Sequence, residues 1–436
     1  MRLIRLLKND LAKEISTWVD KDLISVDQAQ SICKLYDVDY DSSQSYSMGY
    51  RLLVALGYLF IGLAVITLLG ANWDEIPRGV RMAGLMAITL GTHSLGFRSY
   101  LVGNESSATG FFLLGNLFYG ASIILIAQIY HLGEYMPDGV FWWALGSLPF
   151  GVLLRNSWLT LFSCLLALVW FFLEYSMDFF PTLFPLFIAA GLFVLIKGQA
   201  STLLFLTVVA SIGFWIEISL SVAWAFDQSR VKLLPENFLV TVALFIFAYA
   251  LSHWLHLRDS VKAKDYGAVL SLWSLRFALI TMLVLSFNKP WYDLIHSDWH
   301  HQASMWQIIM LLLGLSLWLG WKTKHLKTLV PIIVFSMLSM VALVVPGHTE
   351  NMIYFQITYN VALIGTGIWL IRRGIQRGIS HYFFLGTATI LLTALMRYID
   401  LVGEYVGGAI LFMGLAALLL GAAKYWKTQS IKAGKS

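Results

Sequence analysis

The stretch GYRLLVALGYLFIGLAVITLLGANWDEIPR, residues 49–78, decides the fold. Arg51 is the only charge before the acidic turn, and the apolar run that ends at Ala71 is long enough to cross the roughly 30 Å hydrocarbon core of a bilayer as a helix. Asn72 to Pro77 form a short acidic and aromatic segment, and a second apolar run follows at once. The stretch therefore predicts two membrane helices joined by a tight turn.

The composition of the whole chain agrees with a lipid environment. Of 436 residues, 58% are hydrophobic and 13% are charged, with a mean hydropathy of +0.72. A soluble chain usually carries about 25% charged residues. The lipid bilayer is therefore the expected partner. The net charge of +5 forms no basic stripe on a soluble face, so no nucleic-acid partner is expected.

Apolar segments of membrane length continue to the end of the chain. They predict an all-α polytopic membrane helix bundle of about fourteen transmembrane helices. The predicted segments are 50–71, 78–99, 108–130, 139–154, 157–175, 181–196, 201–222, 237–257, 267–287, 304–321, 328–346, 352–371, 379–398 and 405–423. Segments 139–154 and 181–196 are short, and Pro149 interrupts the first of them. Each is counted here as a full span, but each could instead be a re-entrant segment or be merged with a neighbouring helix.

The N-terminal residues differ from the rest in composition. Residues 1–47 are predicted to form a small cytoplasmic hairpin of two amphipathic helices followed by a linker, with Ser25 and Gln28 as a capping box at the start of the second helix. Such a hairpin is too small to bury a core alone. We therefore expect it to pack on the transmembrane domain, residues 48–426, or on a protein partner. Residues 427–436 form a basic cytoplasmic tail.

Loop charge predicts the orientation. If the N-terminus is cytoplasmic and the segments alternate, lysine and arginine concentrate in the inside connections and the C-terminal tail. The outside connections and adjoining helix ends then hold only Arg78, Arg81, Arg230, Lys232, Lys289 and Arg397. Because basic residues stay on the cytoplasmic side, both termini are expected in the cytoplasm.

Three polar residues inside predicted helices are candidates for a substrate or ion pathway. Glu217 and Arg276 each lie deep in an apolar segment, where an isolated charge costs at least about 2.5–3.5 kcal/mol. One interpretation is a structural ion pair between them, or snorkelling toward the interface; the other is a pathway. His93 is either a proton relay or, with Asn116 and Asn360, one of several groups that form hydrogen bonds between helices.

The outer turn is a candidate binding surface. Trp73, Asp74 and Glu75 precede the second helix, and Arg78 and Arg81 lie on adjacent turns of one face of it. Carboxylates are favourable just before a helix N-terminus, and these arginines can pair with them, which is a structural interpretation. The alternative is that the five residues bind a ligand at the outer mouth.

Glycine and histidine patterns leave two further choices open. Gly110, Gly115 and Gly120 allow close helix packing or, alternatively, a hinge for alternating access. The densest histidine group in the sequence is His300 and His301, with His296 and Asp298 nearby. It is either a hydrated loop or a metal site.

No pattern of residues indicates an enzyme. A P-loop, a nucleophile elbow, a zinc-protease helix and a dinucleotide fingerprint are all missing from the sequence. Cys33 and Cys164 lie in a polar and an apolar segment, so they predict neither a disulfide nor a zinc site. The sequence therefore favours a non-enzymatic protein without a cofactor or metal.

The outer turn also carries a family resemblance. Gly70 to Pro77, followed by Arg78 and Arg81, resembles the signature turn of a bacterial family of predicted multi-pass integral membrane proteins with an uncharacterised N-terminal domain. Ala127 to Leu132 resembles a second segment of that family, and Met396 to Asp400 is weakly similar to it. The resemblance is specific over about residues 1–150. It implies a bacterial inner-membrane location and carries no mechanism.

Two functions remain open on the sequence. One is a transporter or flippase for an amphiphilic or envelope-related substrate, suggested by the helix number, the intramembrane charges and the outer turn. The other is a non-transporting scaffold or sensor that docks a partner through the N-terminal hairpin.

Overall fold

A computed structural model describes residues 14–16, 18–19, 21–35, 48–71, 77–131, 135–224, 233–344, 352–377, 380–401 and 413. Within these ranges every regular element is a helix, so the all-α prediction is confirmed. Eight of the described helices are long and apolar enough to cross a membrane. The chain is an all-α polytopic membrane protein; the number fourteen is not confirmed.

The chain divides into two compact units, Met1–Ile212 and Gly213–Ser436. The first contains α1 (Val26–Leu35), α2 (Met48–Ala71), α3 (Arg78–Leu101), α4 (Glu105–Tyr130), α5 (Met136–Leu153), α6 (Ser157–Ser176) and α7 (Phe184–Lys197). α8 (Thr202–Trp224) begins in the first unit and ends in the second. The second contains α9 (Pro235–His256), α10 (Val261–Val284), α11 (Asn288–Ile295), α12 (Gln302–Lys322), α13 (Leu326–Val344), α14 (Met352–Arg377) and α15 (Ser380–Leu401).

The predicted segments correspond closely to the observed helices. Each one from 50–71 through 379–398 has a helix at its place in the chain. The predicted helix 405–423 and the tail 427–436 lie outside the described residues. The sequence missed α11, a short helix at residues that were assigned to a loop. Its polar, aromatic composition gives no long apolar run to recognise.

The two doubtful segments are separate short helices. α5 continues through Pro149 and ends at Leu153, and α6 starts at Ser157 after an Asn156 cap, so they are not merged. α7 has 14 residues. At a rise of 1.5 Å per residue it is about 21 Å long, which is shorter than the hydrocarbon core.

The N-terminal hairpin has a small apolar cluster of its own. Ile15, Ala29 and Cys33 are at most 1% exposed, and Trp18 and Ile32 pack against them. The capping box is confirmed by two reciprocal bonds. The Ser25 amide donates to Gln28 Oε1 at 2.9 Å and the Gln28 amide donates to Ser25 Oγ at 3.3 Å. The division into residues 1–47 and a transmembrane domain stays a prediction.

Three glycines of α4 let aromatic rings from three helices approach its backbone. Tyr58 of α2, His93 of α3 and Trp143 of α5 pack against Gly110, Gly115 and Gly120, respectively. A step of five residues turns an α-helix by about 140°, so successive glycines point to different neighbours. A Cβ atom at each position would lie within 2.6 Å of a ring atom. These contacts favour compact packing over the hinge interpretation.

We expect Gly120→Ala to destabilise the protein. The added Cβ would lie 2.1 Å from Trp143 Cε2, so the indole must move, at a cost of about 1–3 kcal/mol. Gly91→Ala in α3 is the matched control, because nothing lies within 4 Å of its Cβ position. Thermal unfolding of the detergent-solubilised variants measures both. Equal midpoints for the two variants would contradict this account of α4.

Candidate functional site

Glu217 lies in a network of side chains between α8 and α9. Residues 217 and 221 are four apart on α8, and residues 237 and 241 are four apart on α9, so each pair presents one helix face to the other. Asn237 Nδ2 donates to Glu217 Oε2 at 2.9 Å, and Thr241 Oγ1 donates to Glu217 Oε1 at 2.7 Å. Ser221 Oγ donates to Asn237 Oδ1 at 3.0 Å. Each oxygen of the Glu217 carboxylate therefore accepts one hydrogen bond from α9.

Arg276 is not the partner of this carboxylate. Its guanidinium lies over the Trp273 ring, 5.0 Å from the centroid, on its own helix α10. A cation above an indole face gains a favourable electrostatic contact. The structural ion pair considered from the sequence is therefore not formed. The role of Glu217 or Arg276 in a pathway stays a prediction.

A second carboxylate, Glu236, lies next to the Glu217 network and was missed by the sequence analysis. Its side chain is 0% exposed, and its Oε1 accepts from the His301 amide at 2.9 Å. Oε2 has no hydrogen-bond partner among the described residues. Glu236 is in the first turn of α9, and His301 is the N-cap of α12. The positive ends of two helices therefore meet at this carboxylate.

Side chains from three helices donate hydrogen bonds to the backbone carbonyls between α10 and α11. Trp291 Nε1 of α11 donates to the Leu285 carbonyl at 2.5 Å. The Ser286 carbonyl accepts from Asn360 Nδ2 of α14 at 3.2 Å and also from Arg397 of α15. These carbonyls follow the last turn of α10, where no further helical N–H can reach them. The three side chains replace the missing helical donors.

An open groove of about 910 Å³ lies beside this break. Its lining includes Leu283, Val284, Phe287, Lys289, Asp293 and Met396. The guanidinium of Arg397 lies over the Phe287 ring, 4.9 Å from its centroid, next to the groove. The sequence predicts Arg397 at the outer side but not the groove, because it does not predict α11.

His93 connects α3 to α4. Its Nε2 lies 3.2 Å from Asn116 Oδ1 and its Nδ1 lies 2.8 Å from the Thr89 carbonyl. Asn116 is 0% exposed. The prediction that His93 and Asn116 join helices is confirmed by this bond, and a relay function of His93 stays a prediction.

The outer turn is described only in part. Trp73, Asp74 and Glu75 lie outside the described residues. Pro77 is the N-cap of α3; Arg78 is exposed and Arg81 is partly buried. The proposed pairing or binding role of the five residues therefore stays a prediction.

A polar contact in the first unit joins the start of α5 to the end of α6. Tyr135 Oη donates to Glu174 Oε2 at 2.5 Å, and Trp170 Nε1 donates to Glu174 Oε1 at 2.9 Å. Burial of the phenol and its bond to the carboxylate raise the pKa of Tyr135 to about 12. Tyr135 therefore keeps its proton at physiological pH and holds the two helix ends together.

Comparison with known proteins finds one family. Residues 16–160 match the model of the family described as "Predicted membrane protein (DUF2157)". No curated protein and no solved structure matches the chain. The weaker likeness at Met396 to Asp400 lies outside the matched residues. Residues 16–160 of this chain are thus similar to the DUF2157 family of predicted membrane proteins, which confirms the family resemblance of its outer turn.

Proposed function

We propose that this protein is a transporter or flippase that moves an amphiphilic, envelope-related substrate across the bacterial inner membrane. The observation that carries the proposal is the groove beside the α10–α11 break. At about 910 Å³ it is as large as pockets that bind small molecules, which are roughly 300–1,000 Å³. A groove of this size can hold a headgroup together with the first part of an acyl chain.

The chemistry of the groove suits an amphiphile. Leu283, Val284 and Met396 supply apolar walls, whereas Lys289 and Asp293 supply charges near α11. Val284 is 44% exposed and Trp291 is fully buried, so α11 is anchored by its tryptophan while the groove stays open. The carbonyls at the α10–α11 break accept hydrogen bonds from protein side chains, so the irregular backbone beside the groove is covered.

Glu217 is the proposed coupling group. A carboxylate within a membrane helix can exchange a proton or a cation between two states, and such residues mark pathways in many transporters. The Asn237 and Thr241 donors stabilise its charged form. Movement of α9 relative to α8 would remove both donors at once and favour protonation.

The scaffold alternative has less support from the described residues. It rests on unused apolar surface in the N-terminal hairpin. Ile15, Ala29 and Cys33 are buried in the hairpin's own cluster, while Leu23 and Val26 are 67% and 48% exposed. Among the described residues of the hairpin, Leu23 and Val26 are therefore the large apolar side chains that stay open to a protein partner.

We expect Val284→Trp to block transport by filling the groove. Full-length protein is reconstituted in liposomes with a fluorescent phosphatidylglycerol, and quenching of the outer leaflet by dithionite measures its movement. The rate should fall to that of protein-free liposomes. Leu311→Trp on α12 is the control, because Leu311 is 64% exposed and outside the groove lining. Wild-type protein without activity above protein-free liposomes would reject the flippase proposal. Equal rates for Val284→Trp and wild type would reject the groove.

We expect Glu217→Gln to uncouple transport from an imposed ion gradient. Glutamine keeps the size but cannot accept from Asn237 and Thr241 on two oxygens, so one bond is lost at about 1 kcal/mol. Gradient stimulation of the transport rate should disappear while the unfolding midpoint changes little. Glu105→Gln, in the exposed first turn of α4, is the control. Full gradient stimulation in Glu217→Gln would show that this carboxylate carries no coupling ion.

The proposed orientation has both termini in the cytoplasm and the groove on the outer side. His300 and Lys324 flank α12 at its two ends, so single cysteines there should label from opposite sides. The native Cys33 and Cys164 are buried and are replaced by serine in the background. In intact spheroplasts an impermeant maleimide should label His300→Cys but not Lys324→Cys. The reverse pattern would invert the topology.

A further inference from the structure

Three imidazoles of the second unit lie close together although the sequence does not group them. His253 and His256 lie near the end of α9, and His325 lies in the turn between α12 and α13. The His253 and His325 rings are 4.2 Å apart and nearly perpendicular, and the His253 and His256 rings are 6.3 Å apart. Residues more than 70 positions apart in the chain are thus brought together at one end of the helices.

Arg373 of α14 adds a permanent positive charge to this cluster. It is close enough to act electrostatically on both His253 and Tyr249. Its guanidinium lies over the Trp369 ring, 4.8 Å from the centroid. Its Nε is buried and has no hydrogen-bond partner among the described residues. A buried guanidinium N–H without an acceptor is unfavourable, so this donor is suited to a ligand oxygen.

The described groups that act on His253 and Tyr249 do not include a carboxylate. The groups that act on His253 and Tyr249 are His256, His325, Arg373, Thr328 and Tyr382, from α9, the α12–α13 turn, α13, α14 and α15. Nδ1 of His253 and of His256 faces a backbone carbonyl, at 3.0 and 2.7 Å, which leaves each Nε2 directed away from its own helix.

We propose that His253, His256, His325 and Arg373 form a binding site for a phosphate group. Arginine matches the oxygens of phosphate with a planar fork of donors, and an imidazole that takes up a proton when the anion binds adds an N–H donor and a charge. The group belongs either to inorganic phosphate or to the headgroup of an anionic lipid. The site is distinct from the groove and does not depend on the proposed transport.

The test measures phosphate binding by purified full-length protein. Isothermal titration with inorganic phosphate in detergent forms one arm. The other arm compares thermal stabilisation in nanodiscs that contain phosphatidic acid with nanodiscs of phosphatidylcholine alone. We expect binding in at least one arm, and the responding arm identifies the source of the phosphate group.

Arg373→Gln and Arg372→Gln form a matched pair, because both remove one charge from adjacent positions and Arg372 is exposed. Arg373→Gln should weaken binding at least about tenfold, since charge-assisted hydrogen bonds are among the strongest. Arg372→Gln should bind as wild type does. If Arg373→Gln does not yield folded protein, His325→Asn is the second variant, and we expect it to bind phosphate more weakly than wild type does. No binding in either arm, or equal losses in the two arginine variants, would overturn the proposal.

Discussion

This structure depends on hydrogen-bond partners that the protein itself supplies to its buried polar groups. A polar group that is buried away from water is stabilised when the chain itself supplies its hydrogen-bond partner. The end of α10 shows how demanding this is. Trp291, Asn360 and Arg397, from three different helices, supply the donors for the Leu285 and Ser286 carbonyls. The same side chains fix α11, and with it the shape of the groove.

Glu217 and Glu236, two carboxylates of the second unit, are bonded in different ways. Glu236 accepts a backbone N–H at the N-terminus of α12, so it joins two helices whatever its further role. Glu217 relies on two side chains of one neighbouring helix, Asn237 and Thr241. A contact that one helix movement can break is suited to a state that changes, whereas a contact between helix ends is suited to a fixed framework. Glu217 is therefore the better candidate for coupling.

Hydropathy was sufficient to predict the helices, but not the partners of their polar residues. Long apolar runs have one favourable state in lipid, so their limits can be read from composition. The eight-residue α11 has no such run, and its anchor, Trp291, is recognised only by its contacts with Phe355 and Leu285. Glu217 and Arg276 were each identified as costly charges. Their partners were not predicted, because the sequence does not state which helices are adjacent.

The histidines also show that sequence neighbours need not be neighbours in the structure. His300 and His301 are neighbours in sequence, yet His301 serves mainly to stack on Trp224 and to donate its amide to Glu236. His253 and His325 are far apart in sequence but in contact in the structure. Arg373 is a permanent cation beside these rings, so a proton taken up by His253 would be repelled unless something offsets that repulsion. No carboxylate is among the described groups that act on His253, and an anion bound at Arg373 would offset the repulsion directly.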